Sequence, residues 1–407
     1  MIPRVKGTDD ILPPESARWR ALLRGFDDLA ARYGYDLAVM PVLESTELFS
    51  RGVGAGTDVV EKQMYTFEDQ GGRSVTLRPE FTAGIVRAYL ESGGTGVMKL
   101  AAAGPQFRYE QPQKGRRRQF YQVDLECVGD PDSRADVEII EMSHRLLTEL
   151  GVPGVTLQLN SIGDAADRSQ YRDLLRDYLR GVAGELSPDS RRRIDDNPLR
   201  VLDSKADAAL VAAAPVPLDH LGPETAAHFA AVRAGLEEAG IAYEIAPRLV
   251  RGLDYYNRTV FEFYSTAFEA AQSALGGGGR YDPLAELVGS RVPVAGVGVA
   301  LGCDRIVAAM PEPAPPRLDL FVAVATPVRS GAAGAWVRSL RASGHRVDWT
   351  GGDRSLKAQF KAADRSGAAV VAIVGDEWDA GQVRLKRLAT GEEAAVDIEE
   401  VGAWLNR

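Results

Sequence analysis

Four prolines in six residues, Pro311-Glu312-Pro313-Ala314-Pro315-Pro316, constrain this chain more than any other feature. Each proline removes a backbone donor and fixes φ, so the segment suits neither a helix interior nor the middle of a sheet. A stiff, extended connector is expected over 311–316, with one folded region over 1–310 and another over 317–407. At 407 residues the chain is long enough for that division, because single cores stop growing near roughly 250 to 300 residues. With 45% hydrophobic and 26% charged residues, its composition is that of a folded globular protein.

The region after the prolines alternates strand and helix signals: Leu318 to Val324, a helix near Arg329 to Ser343, Arg346 to Trp349, a helix from Ser355, then Ala368 to Val374. This predicts a small α/β domain. The region before them opens with an amphipathic helix, in which Trp19, Leu22, Leu23, Phe26, Leu29, Ala30 and Tyr33 recur at helical spacing. Strand-like runs follow at Tyr35 to Val42, Ser74 to Leu77, Met98 to Ala103, Phe107 to Tyr109, Gln119 to Cys127 and Val260 to Tyr264. They predict an α+β fold, a largely antiparallel sheet flanked by helices. A charged helical stretch over 165–239 interrupts this pattern and reads as an insertion.

Several function classes are excluded early. The opening residues lack the apolar core of a signal peptide, and the run Val292 to Cys303 is too short to span a bilayer, so a cytoplasmic protein without a membrane partner is expected. Two cysteines and four scattered histidines suggest no protein-built metal site. Gly296, Gly298 and Gly302 imitate a dinucleotide-binding turn, but the spacing is wrong by one and the proline connector follows too soon to close a βαβ unit. A net charge of −9 argues against uniform coating by nucleic acid. Positive charge is nevertheless concentrated between Pro105 and Phe120, where Arg108, Lys114, Arg116, Arg117 and Arg118 face one acid, Glu110. A strand, a basic loop and a returning strand could hold Arg108 over a sheet while the loop reaches phosphates, since guanidinium binds them bidentately.

Read for local propensity alone, Arg251 to Arg258 is an edge-strand turn, Gly276 to Gly279 a flexible loop, and Glu126 a carboxylate on the exposed face of a strand. A resemblance changes these readings. Lys6-Gly7-Thr8-Asp9-Asp10-Ile11-Leu12-Pro13, Tyr33-Gly34-Tyr35 through Pro41, Phe107-Arg108-Tyr109-Glu110 with Gln119-Phe120-Tyr121-Gln122, and Ala295-Gly296-Val297-Gly298 to Leu301-Gly302-Cys303-Asp304-Arg305 resemble, in order, the start and motifs 1, 2 and 3 of class II aminoacyl-tRNA synthetases. The run from Leu249-Val250-Arg251-Gly252-Leu253-Asp254-Tyr255-Tyr256 to Glu262 resembles a signature peculiar to the histidyl enzymes. Asn197 to Asp203 and Gly277-Gly278-Gly279-Arg280-Tyr281-Asp282 are similar to the same family.

The resemblance covers essentially the whole chain and implies an enzyme that joins L-histidine to its tRNA with ATP and Mg2+, as a homodimer. It implies that Arg108 holds the α-phosphate, that Arg305 holds the outer phosphates with Glu110 also at the nucleotide, and that Arg251 stabilises charge at the reacting centre. It assigns histidine binding to Glu80, Thr82, Gln122, Glu126, Tyr255, Tyr256 and Tyr281. Glu126 and a tyrosine are expected near the imidazole, with Glu80, Thr82 and Gln122 near the amino end. Gln113, Lys114 and Arg116 would reach the tRNA acceptor end, and 317–407 would bind the anticodon. That last segment carries 13 Lys and Arg against 12 Asp and Glu, so its role rests on the resemblance and not on charge.

Phe81, Gln111, Tyr121 and Asp304 depart from the family pattern, where glycine, arginine, histidine and glutamate are usual. They bear on packing under the histidine pocket and on the acceptor-end contacts. Two rival readings exist. One is an inert, histidine-sensing paralogue that regulates ATP phosphoribosyltransferase, which Phe81 suits. Such regulators generally lack the C-terminal domain and lose the residues matching Arg251 and Gln122, all present here. The other, an RNA-binding protein without catalysis, leaves the recurrence of the histidine-pocket residues unexplained.

Overall fold

The computed structural model describes residues 2–110, 117–204, 206–269, 274–312, 318–351 and 354–405. The chain divides into two compact units, Met1–Pro311 and Glu312–Arg407. Among the described residues no helix is long and apolar enough to cross a membrane.

In the first unit, α1 (Glu15–Arg32) buries Trp19, Leu22, Phe26, Leu29 and Ala30, an apolar stripe at helical spacing. Next come β1 (Asp36–Ala38), β2 (Leu43–Ser45), α2 (Thr46–Gly52), β3 (Tyr65–Glu68), β4 (Ser74–Leu77) and α3 (Thr82–Glu91). β5 (Met98–Phe107) and β6 (Gln119–Val128) pair antiparallel along their full lengths. α4 (Ser133–Glu149) and β7 (Val155–Ser161) lead to α5 (Ala165–Gly181), α6 (Pro188–Arg193), α7 (Ala208–Ala213) and α8 (Pro223–Glu238). β8 (Glu244–Ile245), β9 (Asn257–Ser265), β10 (Ala274–Arg280), α9 (Leu284–Leu287), β11 (Gly296–Gly302) and α10 (Cys303–Ala309) complete the unit.

The main sheet has the order β1-β5-β6-β11-β10-β9-β7-β8, antiparallel except at its two outermost pairs. β2, β4 and β3 form a separate small sheet. Because strand side chains alternate, one face of the main sheet carries Val123, Leu125, Val297, Val299, Leu301, Phe261 and Phe263. These pack against Leu22 and Phe26 of α1, Ile139 and Leu146 of α4, Val232 and Leu236 of α8, and Ile306 of α10. Helices α5 to α7 surround a satellite core of Tyr171, Leu175, Leu179, Ile194 and Val201. At the end of β10 the fully buried Arg280 pairs with Asp136 of α4 and donates to the carbonyls of Asp130 (2.9 Å) and Asp132 (3.1 Å), which pins strand to helix.

Several local expectations are corrected. The run Tyr35 to Val42 is not one strand: pairing with β5 covers only Asp36 to Ala38 and is lost ahead of Pro41, which has no donor. Met98 to Ala103 and Phe107 to Tyr109 are not separate, since β5 continues through Gly104 and Pro105 to Phe107. β1 pairs only as far as Ala102, so Pro105 sits where β5 has become an edge and its missing donor is tolerated. Gly276 to Gly279 are no flexible loop. They lie in β10, between β9 and β11, and β9 itself is an interior strand, so the Arg251 to Arg258 turn leads into the sheet and not to its edge.

The second unit has β12 (Leu320–Val324), α11 (Ser330–Ala342), β13 (Val347–Trp349), α12 (Leu356–Ser366), β14 (Val370–Val374), β15 (Gln382–Arg387), β16 (Glu393–Asp397) and α13 (Val401–Leu405). Its sheet order is β13-β12-β14-β15-β16, parallel across the first three strands and antiparallel after them. Buried Gln359 of α12 exchanges two 2.8 Å hydrogen bonds with the backbone of Val324 at the end of β12.

Candidate active site

The other face of the main sheet is built differently by the same alternation. Gln122, Asp124 and Glu126 project from β6, Gly298, Ala300 and Gly302 lie opposite them on β11, Gly277 and Gly279 on β10, and Glu262 on β9. Of these small residues, Gly277, Ala300 and Gly302 form an open floor between polar walls. Above it lies a cavity of about 340 Å³ lined by Glu80, Thr82, Arg108, Glu110, Gln122, Arg251, Tyr255, Tyr256 and Arg305, together with Arg117, Tyr121, Glu262 and Asp304. Glu126 and Tyr281 do not line it; they are buried beside the floor.

Arg251, just ahead of the turn that enters β9, lays its guanidinium across β10. A Cβ on Gly277 would stand 3.0 Å from Arg251 Nη1, so glycine is what admits the guanidinium. Glu262, the cross-strand partner of Gly277, holds Arg251 Nη1 at 2.9 Å. Burial lowers the guanidinium's pKa, but Glu262 and the nearby Tyr256 outweigh it and leave the pKa raised. The positive charge is therefore fixed in place, and Arg251 Nε is buried without a hydrogen-bond partner.

Arg108 follows β5 and donates from Nε to the carbonyl of Pro79 at 2.9 Å, with its guanidinium 5.2 Å from the centre of the Phe120 ring. Burial lowers its pKa, opposed by Glu110 and Glu80. Arg305, in the first turn of α10, donates to the carbonyl of Ala274. Three arginines from three distant segments thus reach one cavity.

Glu80 caps α3: its oxygens accept from the backbone N–H of Thr82 (2.6 Å) and of Ala83 (3.0 Å). Burial still raises its pKa. Glu126 accepts from Thr82 Oγ1 at 2.6 Å and from the Tyr281 hydroxyl at 2.5 Å, and lies flat over β11 where a Cβ on Gly298 would meet its Oε2 at 1.7 Å. Local propensity alone would expose Glu126, but it is fully buried, and that burial pushes its pKa up to about 8. Tyr255 stacks against Tyr256 (4.7 Å between centroids) and edge-on to Tyr281 (6.0 Å), and burial raises all three phenols.

Sequence reasoning missed Glu262, Arg117 and the pairing role of Asp304. Arg117 bridges Asp9 (2.9 Å) and Asp304 (2.5 Å), and Asp304 also accepts from the Tyr121 backbone at 3.1 Å. The opening segment, the β6 start and α10 are thereby tied at the cavity rim. For Glu262 a signal existed, the alternation Val260, Glu262, Tyr264 opposite the glycines of β10. Phe81 is buried in the hydrophobic cluster with Ile85 and Val260, carries Arg78 over its ring at 4.3 Å, and does not line the cavity. Tyr121 packs edge-on against Trp19 at 5.2 Å. Gln111, Gln113, Lys114 and Arg116 lie outside the described residues.

The Histidyl-tRNA synthetase family matches residues 7–306, and the Anticodon binding domain family matches residues 322–407. A histidine–tRNA ligase of Rhodococcus erythropolis is 46% identical, covering 97% of this chain and 95% of its own length. One from Mycobacterium tuberculosis is 45% identical, with 98% and 96% covered. The crystal structure of apo S. aureus histidyl-tRNA synthetase superposes with a TM-score of 0.83 at 33% identity, covering the whole of both chains. The chain belongs to the histidyl-tRNA synthetase family.

Proposed function

We propose that this chain activates L-histidine with ATP to histidyl adenylate and pyrophosphate, then transfers histidine to the 3′ end of its tRNA. The observation that carries this reading is the convergence of Arg108, Arg251 and Arg305 on one cavity, next to the buried Glu80, Thr82, Glu126 and tyrosine set. The histidine carboxylate is already a nucleophile and attacks the α-phosphorus without a general base. The site has to bring two anions together and stabilise charge on the phosphoryl oxygens. Arg108 holds the α-phosphate, Arg305 the outer phosphates, and Arg251, steadied by Glu262, meets the charge that develops at the reacting centre. Glu126 and Tyr255 read the imidazole, with Tyr256 and Tyr281 packed around them, while Glu80, Thr82 and Gln122 face the amino end. A site that hydrogen-bonds its substrate rejects analogues that leave those groups unpaired.

Among the described residues no three His, Cys, Asp or Glu side chains cluster as a metal site. Mg2+ is commonly bound through one or two carboxylates plus substrate phosphates. Glu110, in the cavity beside Arg108, fits that requirement and would hold an ion that neutralises phosphate charge. Gln113, Lys114 and Arg116 are assigned to the acceptor end and 317–407 to the anticodon. A cytoplasmic homodimer is the proposed assembly. Its contact surface is the β1 side of the main sheet, where Leu37 and Val39 are 68% and 86% exposed.

Pyrophosphate exchange into ATP, run with each amino acid in turn, tests the reading. Exchange with histidine alone is expected. Histidine binding without exchange would favour the regulatory paralogue, to which the matched anticodon-binding region and the near-full-length similarity to ligases are opposed.

A further inference from the structure

Asp124 lies on the site face, and no hydrogen bond of the fold and no step of the assigned chemistry uses it. It is 1% exposed, and both carboxylate oxygens are buried without a hydrogen-bond partner. Native proteins seldom leave a buried carboxyl in that state, so its retention requires an explanation. Its position supplies one. Asp124 projects between Gln122 and Glu126 on β6 and lies directly across from Ala300 on β11. Gln122 and Ala300 both line the cavity, and side chains paired across antiparallel strands stand only roughly 5 Å apart.

Of the other carboxylates around the floor, Glu110 is assigned above to the ion at the phosphates, and the remaining four have commitments within the protein. Glu80 accepts from two backbone N–H groups of α3, and Glu126 accepts from Thr82 and Tyr281. Glu262 is paired with Arg251, and Asp304 with Arg117. The nearby Arg78 spends Nε on the carbonyl of Pro105 and Nη1 on those of Met40 and Pro41, and makes no hydrogen bond to Asp124. Burial, with Glu126 and Glu80 adding to it and the Arg78 and Arg108 charges opposing it, holds the Asp124 pKa well above the usual carboxylate range, so a further cation arriving at the floor would find a carboxyl that gains by ionising against it.

We propose that Asp124 is the anionic partner of the substrate's α-ammonium group, a binding residue of the activation site in addition to Glu80, Thr82 and Gln122. This rests on the reading of the cavity as the histidine site. An ammonium presents three donors and a full charge, the complement of two unpaired carboxylate oxygens. Glu80 faces the same group, while its two backbone hydrogen bonds fix the start of α3.

The test is calorimetric titration of the full chain and of Asp124→Asn with three ligands. L-histidine carries ammonium, carboxylate and imidazole; L-histidinol keeps the ammonium but lacks the carboxylate; imidazolelactate replaces the ammonium with a hydroxyl. Asp124→Asn is expected to weaken L-histidine and L-histidinol by roughly tenfold or more, the scale of a charged hydrogen bond, and to leave imidazolelactate within about twofold. Melting should not fall, because the substitution removes an unpaired buried acid. Asp124→Ala serves as a second variant with the same expected selectivity. Equal weakening of all three ligands, no weakening of any, or a lost melting temperature with unselective binding would overturn the proposal. A wild-type chain that fails to bind L-histidine would overturn the site reading and this inference with it. Binding by wild type without the ammonium-selective loss would overturn this inference alone.

Discussion

The guanidinium of Arg251 and the carboxylate of Glu262 meet at 2.9 Å over the backbone of Gly277, which is the cross-strand partner of Glu262 in β10. Chain turn, strand and glycine are each needed for that contact. Glu262→Gln keeps the shape but removes the charge that steadies Arg251. Adenylate formation should slow by roughly tenfold or more, the scale of a charged hydrogen bond, with little change in histidine affinity. Gly277→Ala is expected to be worse, because the added Cβ would stand 2.4 Å from the Phe261 carbonyl as well as against Arg251. Stability should fall by about 1 to 3 kcal/mol, read by denaturant unfolding.

Glu126 predicts a pH dependence. Its pKa rises from the ordinary 4.5 of an unfolded glutamate to about 8 in the folded site. The folded state therefore holds a proton that the unfolded state releases, so the contribution is fully present below pH 4.5 and is lost as pH rises through about 8. Glu80 and Asp124, also raised, act with the same sign. Melting temperature should decline between pH 5 and 8, and Glu126→Gln should flatten that decline. An unchanged slope in the variant would contradict the assignment.

Much of the site was legible because its residues fall in short, ordered segments. Arg108, Arg251 and Arg305 stand in three such segments, and the structure brings them to one cavity. The glycines of β10 were misread from propensity because glycine weakens an isolated strand; here the strand is interior, and absent side chains are what its neighbours require. Local pattern alone would leave Glu126 exposed, because alternation separates two faces without saying that both are covered; only the resemblance put it with the histidine-binding residues. The Arg117 to Asp304 contact joins residues 187 apart, a distance over which local pattern carries no information. Phe81, a departure that favoured the regulatory reading, turns away from the cavity into the core under Arg78.

The second unit has its own hydrophobic core, including Leu320, Val322, Trp336, Val337 and Val370. Removing 317–407 should leave histidine-dependent adenylate formation largely intact while raising the tRNA concentration needed for charging. Charging kinetics on the truncated, folded chain check this. Undiminished charging would show that the anticodon assignment is wrong.

Leu37→Asp or Val39→Asp places a charge on the exposed apolar surface beside β1. Sedimentation at micromolar concentration should show a dimer for the wild type and monomer for the variant, with activity reduced because Arg78 ties the Met40 and Pro41 carbonyls to the site's approach at Pro105. A fully active wild-type monomer would defeat the dimer proposal.

The account stands most directly on the rate of the chemical step without Arg251. In single-turnover adenylation, Arg251→Ala should lose at least about 3 kcal/mol of transition-state stabilisation, roughly a hundredfold in rate, while histidine binding changes little. Arg251→Lys should recover only part, since an ammonium keeps charge without the planar pair of donors. If Arg251 served only as an ion-pair partner for Glu262, its loss would alter stability and leave the chemistry near normal. A near-normal adenylation rate in folded Arg251→Ala would therefore contradict the catalytic assignment.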